Sequence, residues 1–385
     1  MKILFFAYEY PPLGTGVANA VKYIFAKFSE SKDLQVDFIT ASLENKFEEI
    51  SLYPNIRMLK VPIGLKTKEN EDKQKPIEMI RFIWHSFWLA RKLIRENHYD
   101  LAHFFGYPGG FVTYLLRRRV PYIVSLRGVD VPGYNPTYKK YYVFYRPLAY
   151  LIWKHAERVI PNSQGLKELA RETAPDLRID VIPNGIDTRI FKPVPDSLKT
   201  KNFTITAGAT TMTSKKGLPY LVKGFAKLHA EYRDTELVLI GGGSKKPEIE
   251  DLVSKLNLQE SVRFLGRKPK AWVPENLPRY HVLCLPSINE GMSNAALEAM
   301  ASGLPLILTE TGGTVEMLED GVNGYIINKR DEDQIYEKLK ILYKNPKKKK
   351  SMGEKSREKA MSMDWDNIAK QHIKVYQDVI RKADQ

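Results

Sequence analysis

The chain has 385 residues, 43% hydrophobic and 27% charged, with a net charge of +15. That length predicts two or three domains with ample core. One cysteine, Cys284, excludes an internal disulfide and a cysteine-rich zinc site, and no apolar run reaches the ~20 residues of a membrane span. The opening MKILFFAYEYPP holds one lysine and a short apolar run that stops at an acid and two prolines. It reads as a first strand over 2–7 rather than a leader. A helix is expected over 17–29 and a strand over 35–40. Helix 77–97 then leads to strand 99–105, helix 109–119 to strand 121–126, and helix 140–156 to strand 157–161. Helix 164–173 precedes a strand near 178–182. Short apolar strands separated by helices specify parallel sheets covered on both faces.

The segment PNGIDTRIFKPVPD (183–196) interrupts this rhythm with three prolines and an Asn-Gly turn, as an interdomain hinge would. A second series follows, with strands predicted at 203–208, 236–241, 261–265, 282–286, 305–309 and 324–327. Its helices are predicted at 217–231, 246–256, 293–302, 312–320 and 331–344. The Lys347–Lys350 run reads as a solvated loop between two helical patterns. The expectation is therefore an α/β protein of two doubly wound parallel-sheet domains, 1–193 and 194–365. Their ligand is expected in the cleft between them, at the carboxyl ends of both sheets.

The basic surplus is uneven. Residues 51–150 hold 17 Lys+Arg against 7 Asp+Glu, among them Lys66, Lys68, Lys73 and Lys75, then Arg81, Arg91, Lys92 and Arg95, then Arg117, Arg118 and Arg119. Phe82, Trp84, Phe87 and Trp88 interleave with them. A surface of this kind suits anionic lipid headgroups or lipid-linked phosphates, while a helix with a solvated basic side and an aromatic core stripe has the same pattern. No helix-turn-helix, zinc-finger or RNP signature supports nucleic acid as a partner.

Two loops carry chemistry. After the first strand, the run from Tyr8 to Gly16 ends in Gly14-x-Gly16 and opens a helix, where backbone N–H groups can approach a phosphate. It lacks a third glycine, having Asn19 there, and strand two ends in Thr40, so a dinucleotide fingerprint is not met. In the C-terminal half, a strand ending at Leu285 is followed by PSINEGMSNAALEAMASGLP (286–305). Glu290 falls on the loop, Ser293 or Asn294 caps a helix running to Gly303, and Glu298 lies about one turn inside it. A helix N-terminus offers free N–H groups to a diphosphate, and Glu298 stands within reach of ribose hydroxyls. Capping and dipole complementarity explain the same acids without a ligand. A retaining glycosidase pair would need carboxylates about 5–5.5 Å apart, closer than this spacing predicts. No Asp-x-Asp lies in a metal-site context, Asp331-Glu332-Asp333 suits a helix start, and GGGSKK (241–246) lacks phosphate-loop spacing.

Glu290 and Glu298 with seven residues between them, followed by EAMASGLP, resemble the signature of retaining glycosyltransferase family 4, of GT-B fold. PPLGTG, SLRGVD (125–130), ERVIPNSQGLKELA (157–170), PNGIDTRIF, VRFLGR (262–267) and TGGTVEMLEDGVNGYII (311–327) resemble further landmarks of that family. DWDNIAKQHIKVYQDVI (364–380) is similar to its last helix, so helix 366–385 is expected to complete the first domain. The resemblance covers nearly the whole chain. It implies that Glu298 binds the ribose of a nucleotide sugar. Glu290, with Gly291, Met292, Ser293 and Asn294, would hold the donor sugar. Gly14 and Gly16 would approach the phosphates from the opposite domain. Lys216 corresponds to the family's diphosphate-binding lysine, and Arg267 with its neighbours would line the base pocket.

Two positions depart from the family pattern. Ala209 stands where an arginine is frequent, which leaves Lys215 to share the clamping of the diphosphate. Arg127-Gly128 stands where His-Gly is frequent. Arginine stays protonated, so Arg127 is expected as an electrostatic partner of a phosphate or an anionic sugar, oriented by Asp130. An Arg–Asp pair that merely holds a loop is the alternative. His103, ending a strand, is expected to face the cleft and touch acceptor. Together these imply a cytoplasmic, metal-independent glycosyltransferase without a cofactor. It would move a sugar from a UDP- or GDP-linked donor to a glycan, glycolipid or lipid-linked acceptor, peripherally on an anionic membrane. A nucleotide-sugar epimerase on the same fold and a non-catalytic binding partner are the rival readings.

Overall fold

The computed structural model describes residues 1–14, 16–64, 76–106, 110–135 and 138–383, with the side chains of residues 209, 210 and 383 left aside. The expected lysines at 66, 68, 73 and 75 lie outside the described residues. The chain divides into two compact units, Met1–Asn184 with Trp365–Gln385, and Gly185–Asp364. The division falls at Asn184, not at 193. Ile186 and Phe191, which read as hinge, are buried in the core of the second unit. The chain enters and leaves that unit side by side: Ile186 N–H donates to the Met363 carbonyl at 3.0 Å and Thr188 N–H to Asp364 at 3.0 Å.

The first unit holds β1 (Lys2–Phe6), β2 (Gln35–Ser42), β3 (Glu48–Tyr53), β4 (Ile56–Pro62), β5 (Leu101–Phe105), β6 (Tyr122–Leu126) and β7 (Arg158–Pro161). They lie in the order β3-β4-β2-β1-β5-β6-β7, parallel except for β3 against β4. Strand β1 reads KILFF because it is covered on both sides. The pleat sends Leu4 and Phe6 to one core and Ile3 and Phe5 to the other. The second of these cores is closed by helix Gly16–Phe28 and the C-terminal helix Trp365–Ala383, which packs Trp365, Ile368 and Tyr376 there. Burying each such side chain contributes roughly 1.5–3 kcal/mol.

The β3–β4 hairpin is absent from the sequence reading. Strand β3 has no fully buried residue, and β4, buried at Ile56, Met58, Leu59 and Val61, is interrupted by Arg57 and Lys60, so neither shows the long apolar run of its neighbours. The strand expected near 178–182 reduces to a single bridge between Ile179 and Val159.

The second unit holds β8 (Phe203–Thr211), β9 (Thr235–Gly242), β10 (Val262–Gly266), β11 (Val282–Leu285), β12 (Leu306–Thr309) and β13 (Gly324–Ile327). All pair in parallel in the order β10-β9-β8-β11-β12-β13. Strand order reverses between β8 and β11, so the loops leaving their carboxyl ends bound the crevice where doubly wound sheets bind ligands. The Lys347–Lys350 run is not a loop. It forms the first turn of helix Pro346–Ser362, which Pro346 starts with its preset φ.

Candidate functional site

The loop after β8 ends in a short turn, Ser214–Lys216, and then Gly217. Gly217 has φ +63°, and a Cβ there would lie 2.0 Å from the Pro286 carbonyl oxygen, so only glycine lets this loop touch the loop after β11. The Ile288 N–H donates to the Lys215 carbonyl at 2.7 Å and locks the two together. This places the Lys216 ammonium in an ion pair with the Glu290 carboxylate, which also accepts from Ser287 Oγ at 3.2 Å. Lys216 and Glu290 are partly buried, which strengthens the pair over an exposed one. Lys215 itself is exposed.

Beyond Glu290 the chain is clamped by a second glycine turn. Gly312 N–H donates to the Glu290 carbonyl at 3.0 Å, and a Cβ on Gly313 would lie 2.8 Å from the Gly291 carbonyl oxygen. Met292 turns its side chain into the core, so it can offer a ligand only backbone. Ser293 is the N-cap of helix Asn294–Ala301 and accepts from the Ala296 N–H at 3.4 Å. The first N–H groups of that helix have no partner within the helix and point out of its start, beside Glu290. Glu298 lies one turn in. Burial pushes its carboxyl up to about 7, with the Lys270 ammonium pulling it back. Arg267 is exposed at the end of β10 and lies along Gly242 at the end of β9. Polar side chains of Ser287, Ser293, Thr309, Thr311 and Thr314 line a small pocket at Glu290. The second unit thus brings an ammonium, a carboxylate and a helix start together at one crevice, with a desolvated second carboxylate one turn into that helix.

Ser287, Lys270, Gly217 and the glycines at 312 and 313 were not read as site residues from the chemistry of the sequence. Only the Gly-Gly pair left a signal, as part of TGGTVEM. The position of Ala209 pairs in β8 with Ile240, but its side chain lies outside the described ones.

In the first unit, Gly14 lies on the loop after β1 with the Glu9 carboxylate packed on it, and Gly16 opens helix Gly16–Phe28 with open space at its Cα. Arg127 follows β6. Its guanidinium stacks on the Phe105 ring at 3.7 Å and donates from Nη1 to Asn184 Oδ1 at 3.0 Å. Nε and Nη2 are buried without a hydrogen-bond partner among the described residues. Burial pulls Arg127 down to about 9. Asp130 does not orient the guanidinium. Its carboxylate accepts from the backbone N–H groups of Arg127, at 3.0 and 2.9 Å, and Gly128, at 2.6 Å. Burial raises Asp130 to about 6 against those bonds. It therefore shapes the turn, hydrogen-bonding Arg127 through the backbone while its charge acts on the guanidinium only through space.

His103 is a correction. It is fully buried, bonded through Nε2 to Ser125 Oγ at 2.8 Å and through Nδ1 to Tyr376 of the C-terminal helix at 2.6 Å. Alternation along β5 turns it toward the face that helix covers, where no surface is left for an acceptor to touch. Burial and the neighbouring His372 and Arg127 charges hold it well below the usual histidine range.

Two Rossmann-like units, one with this crevice, define a GT-B glycosyltransferase. The model for glycosyl transferases group 1 matches residues 187–359, and that for glycosyltransferase family 4 matches residues 15–190. The chain belongs to glycosyltransferase family 4. An uncharacterized glycosyltransferase of Methanocaldococcus jannaschii is 26% identical over 98% of this chain and 99% of its own length. Sucrose-phosphate synthase of Thermosynechococcus elongatus shares the fold with TM-score 0.82 at 20% identity, covering 99% of both chains. The Anabaena protein HepE, in complex with UDP-glucose, shares it with TM-score 0.73 at 18% identity, over 98% of this chain and 100% of that one.

Proposed function

We propose that the chain is a retaining hexosyltransferase that takes its sugar from a UDP-linked donor. The observation that carries this is the meeting of Lys216 and Glu290 at the β8/β11 crevice, one helical turn ahead of Glu298. In this reading the diphosphate lies over the start of helix Asn294–Ala301 and Lys216 turns to it. Glu290, freed of part of its ion pair, accepts hydroxyls of the donor sugar. Glu298 accepts the ribose hydroxyls. The ammonium and the helix start meet the charge that grows on the departing diphosphate, so the reading needs neither a metal ion nor a cofactor. The acceptor oxygen forms its bond to the anomeric carbon as the carbon–diphosphate bond breaks on the same face. The acceptor proton passes to the leaving diphosphate oxygen. The enzyme supplies position and charge.

UDP is favoured over GDP by the UDP-glucose complex of a fold neighbour. The basic first unit would take the acceptor, a hydroxyl of a glycan, glycolipid or lipid-linked saccharide at the cytoplasmic surface of a membrane. Product anomer by NMR tests retention: an α-linked donor should give an α-linked product, in EDTA as well as in magnesium. A β product would end the retaining assignment. Donor isomerised in the absence of any acceptor would instead make the chain an epimerase.

A further inference from the structure

The outer side of the first unit's helical layer differs from the rest of the surface. Helices Pro76–Glu96, Gly110–Leu116 and Lys139–Lys154 pack side by side over one face of the sheet. Their inward side chains, such as Phe82, Leu93, Val112, Ile152 and Trp153, fill that core. On the outside of the first helix, Ile77, Ile80, Trp84 and Trp88 are all exposed, spaced three, four and four residues apart, so they form one stripe. The rings of Trp84 and Trp88 stand 5.8 Å apart. On the third helix Tyr141, Phe144 and Leu151 are exposed, Tyr141 at 72% and Phe144 at 85%, and Leu115 is exposed on the helix between. Monomeric soluble proteins rarely leave such a concentration of large apolar groups in water.

Cations frame these stripes. Lys139, Lys140, Arg146 and Lys154 belong to the third helix, which has no acid. Arg118 and Arg119 follow the middle helix and are exposed. Arg91 lies against the Trp88 ring at 5.7 Å. Of the two acids on the first helix, Glu78 is buried.

We infer that this helical face docks on an anionic lipid bilayer, with its aromatic rings at headgroup depth and its cations on headgroup phosphates. Rings with an apolar body and a polar tip favour that depth, and flanking Lys and Arg add attraction to anionic lipid. A second copy of the chain fits worse. A two-fold contact sets the same patch against itself, and here that opposes two cationic surfaces. Among the described residues no helix is long and apolar enough to cross a membrane, so the attachment is peripheral. The docking depends on the glycosyl-transfer reading only for its purpose, delivery of a lipid-linked acceptor.

The test is co-sedimentation with phosphatidylcholine vesicles, with and without phosphatidylglycerol, at low and raised salt. The wild-type chain should pellet with anionic vesicles and remain in solution with phosphatidylcholine alone. Raised salt should weaken the binding. The pair Lys139→Glu/Lys140→Glu should lower partitioning at least about tenfold, and Trp84→Ser/Phe144→Ser should lower it as well. All four positions are exposed, so the melting temperature should hold. No pelleting of the wild type at low salt, equal pelleting of both variants, or a dimer in light scattering that the same variants dissolve would overturn the inference. UDP-glucose binding by calorimetry, run on every variant, separates the two readings. Its loss with vesicle binding intact would count against the transferase and not against the docking.

Discussion

The two units share the order of their parallel strands but treat their charged groups in opposite ways. In the second unit, the groups at the crevice satisfy one another: Lys216 pairs with Glu290, Ser287 donates to Glu290, and two loops lock through Ile288 and Lys215. In the first unit, among the described residues, no carboxylate hydrogen-bonds the Arg127 guanidinium and its Nε and Nη2 lack partners, while the Asp130 charge acts on it through space. The second arrangement resists distortion and holds a geometry ready for a ligand. The first stores the cost of a desolvated charge. The contrast teaches that glycine contacts can pin a charged pair in place, whereas a buried guanidinium without a hydrogen-bonded carboxylate carries a desolvation cost.

The largest expected effect comes from breaking the satisfied side. Lys216→Ala should slow donor turnover by about 10²–10³-fold, the range for removing one group that stabilises a developing charge, as measured by release of the nucleotide diphosphate. Next is the contact that brings the loops together. Gly217→Ala sets a Cβ against the Pro286 carbonyl at a positive φ, and should destabilise the second unit by about 1–3 kcal/mol in a denaturant titration.

A third prediction concerns pH. Folding raises Glu298 to about 7 from its ordinary 4.5, so between those values the folded state holds the extra proton. Its contribution to stability is present below about 4.5 and is lost as pH rises through 7. In the proposed role the ionised form accepts the ribose hydroxyls, so UDP-glucose affinity should rise by up to about thirtyfold from pH 5.5 to 8. Glu298→Gln should flatten that rise and bind weakly throughout. The smallest effect tests the strained side. Arg127→Met removes the desolvated charge, so the melting temperature should stay level or rise by the equivalent of about 1 kcal/mol, while transfer falls. A clear loss of stability would mean that the stack on Phe105 and the bond to Asn184 outweigh the burial cost.

Much of this was legible from residues alone. The strands of both parallel sheets stand out because burial on two faces demands runs such as KILFF and VLCL between amphipathic helices. Glu290 and Glu298 were legible because a cap and one helical turn fix their spacing. The β3–β4 hairpin was not, since the partly exposed edge strand β3 and the Arg57- and Lys60-broken β4 carry no such run. Helix Pro346–Ser362 was masked by its lysines, which as a run look like a solvated loop. His103 was misplaced for a different reason. What covers it is Tyr376, on a helix that joins the first unit only after the chain has traversed the second. The Asp130 bonds to backbone N–H groups were equally hidden, because sequence proximity to Arg127 suggests an ion pair and cannot distinguish main chain from side chain.

The most direct measurement is a calorimetric titration of UDP-glucose into the full chain and into Glu298→Ala, in EDTA. Binding at one site in the wild type, weakened at least about tenfold in the variant, is the predicted result. Equal affinity in the two proteins, or no binding of any UDP-, GDP- or ADP-linked sugar by the wild type, would contradict the account.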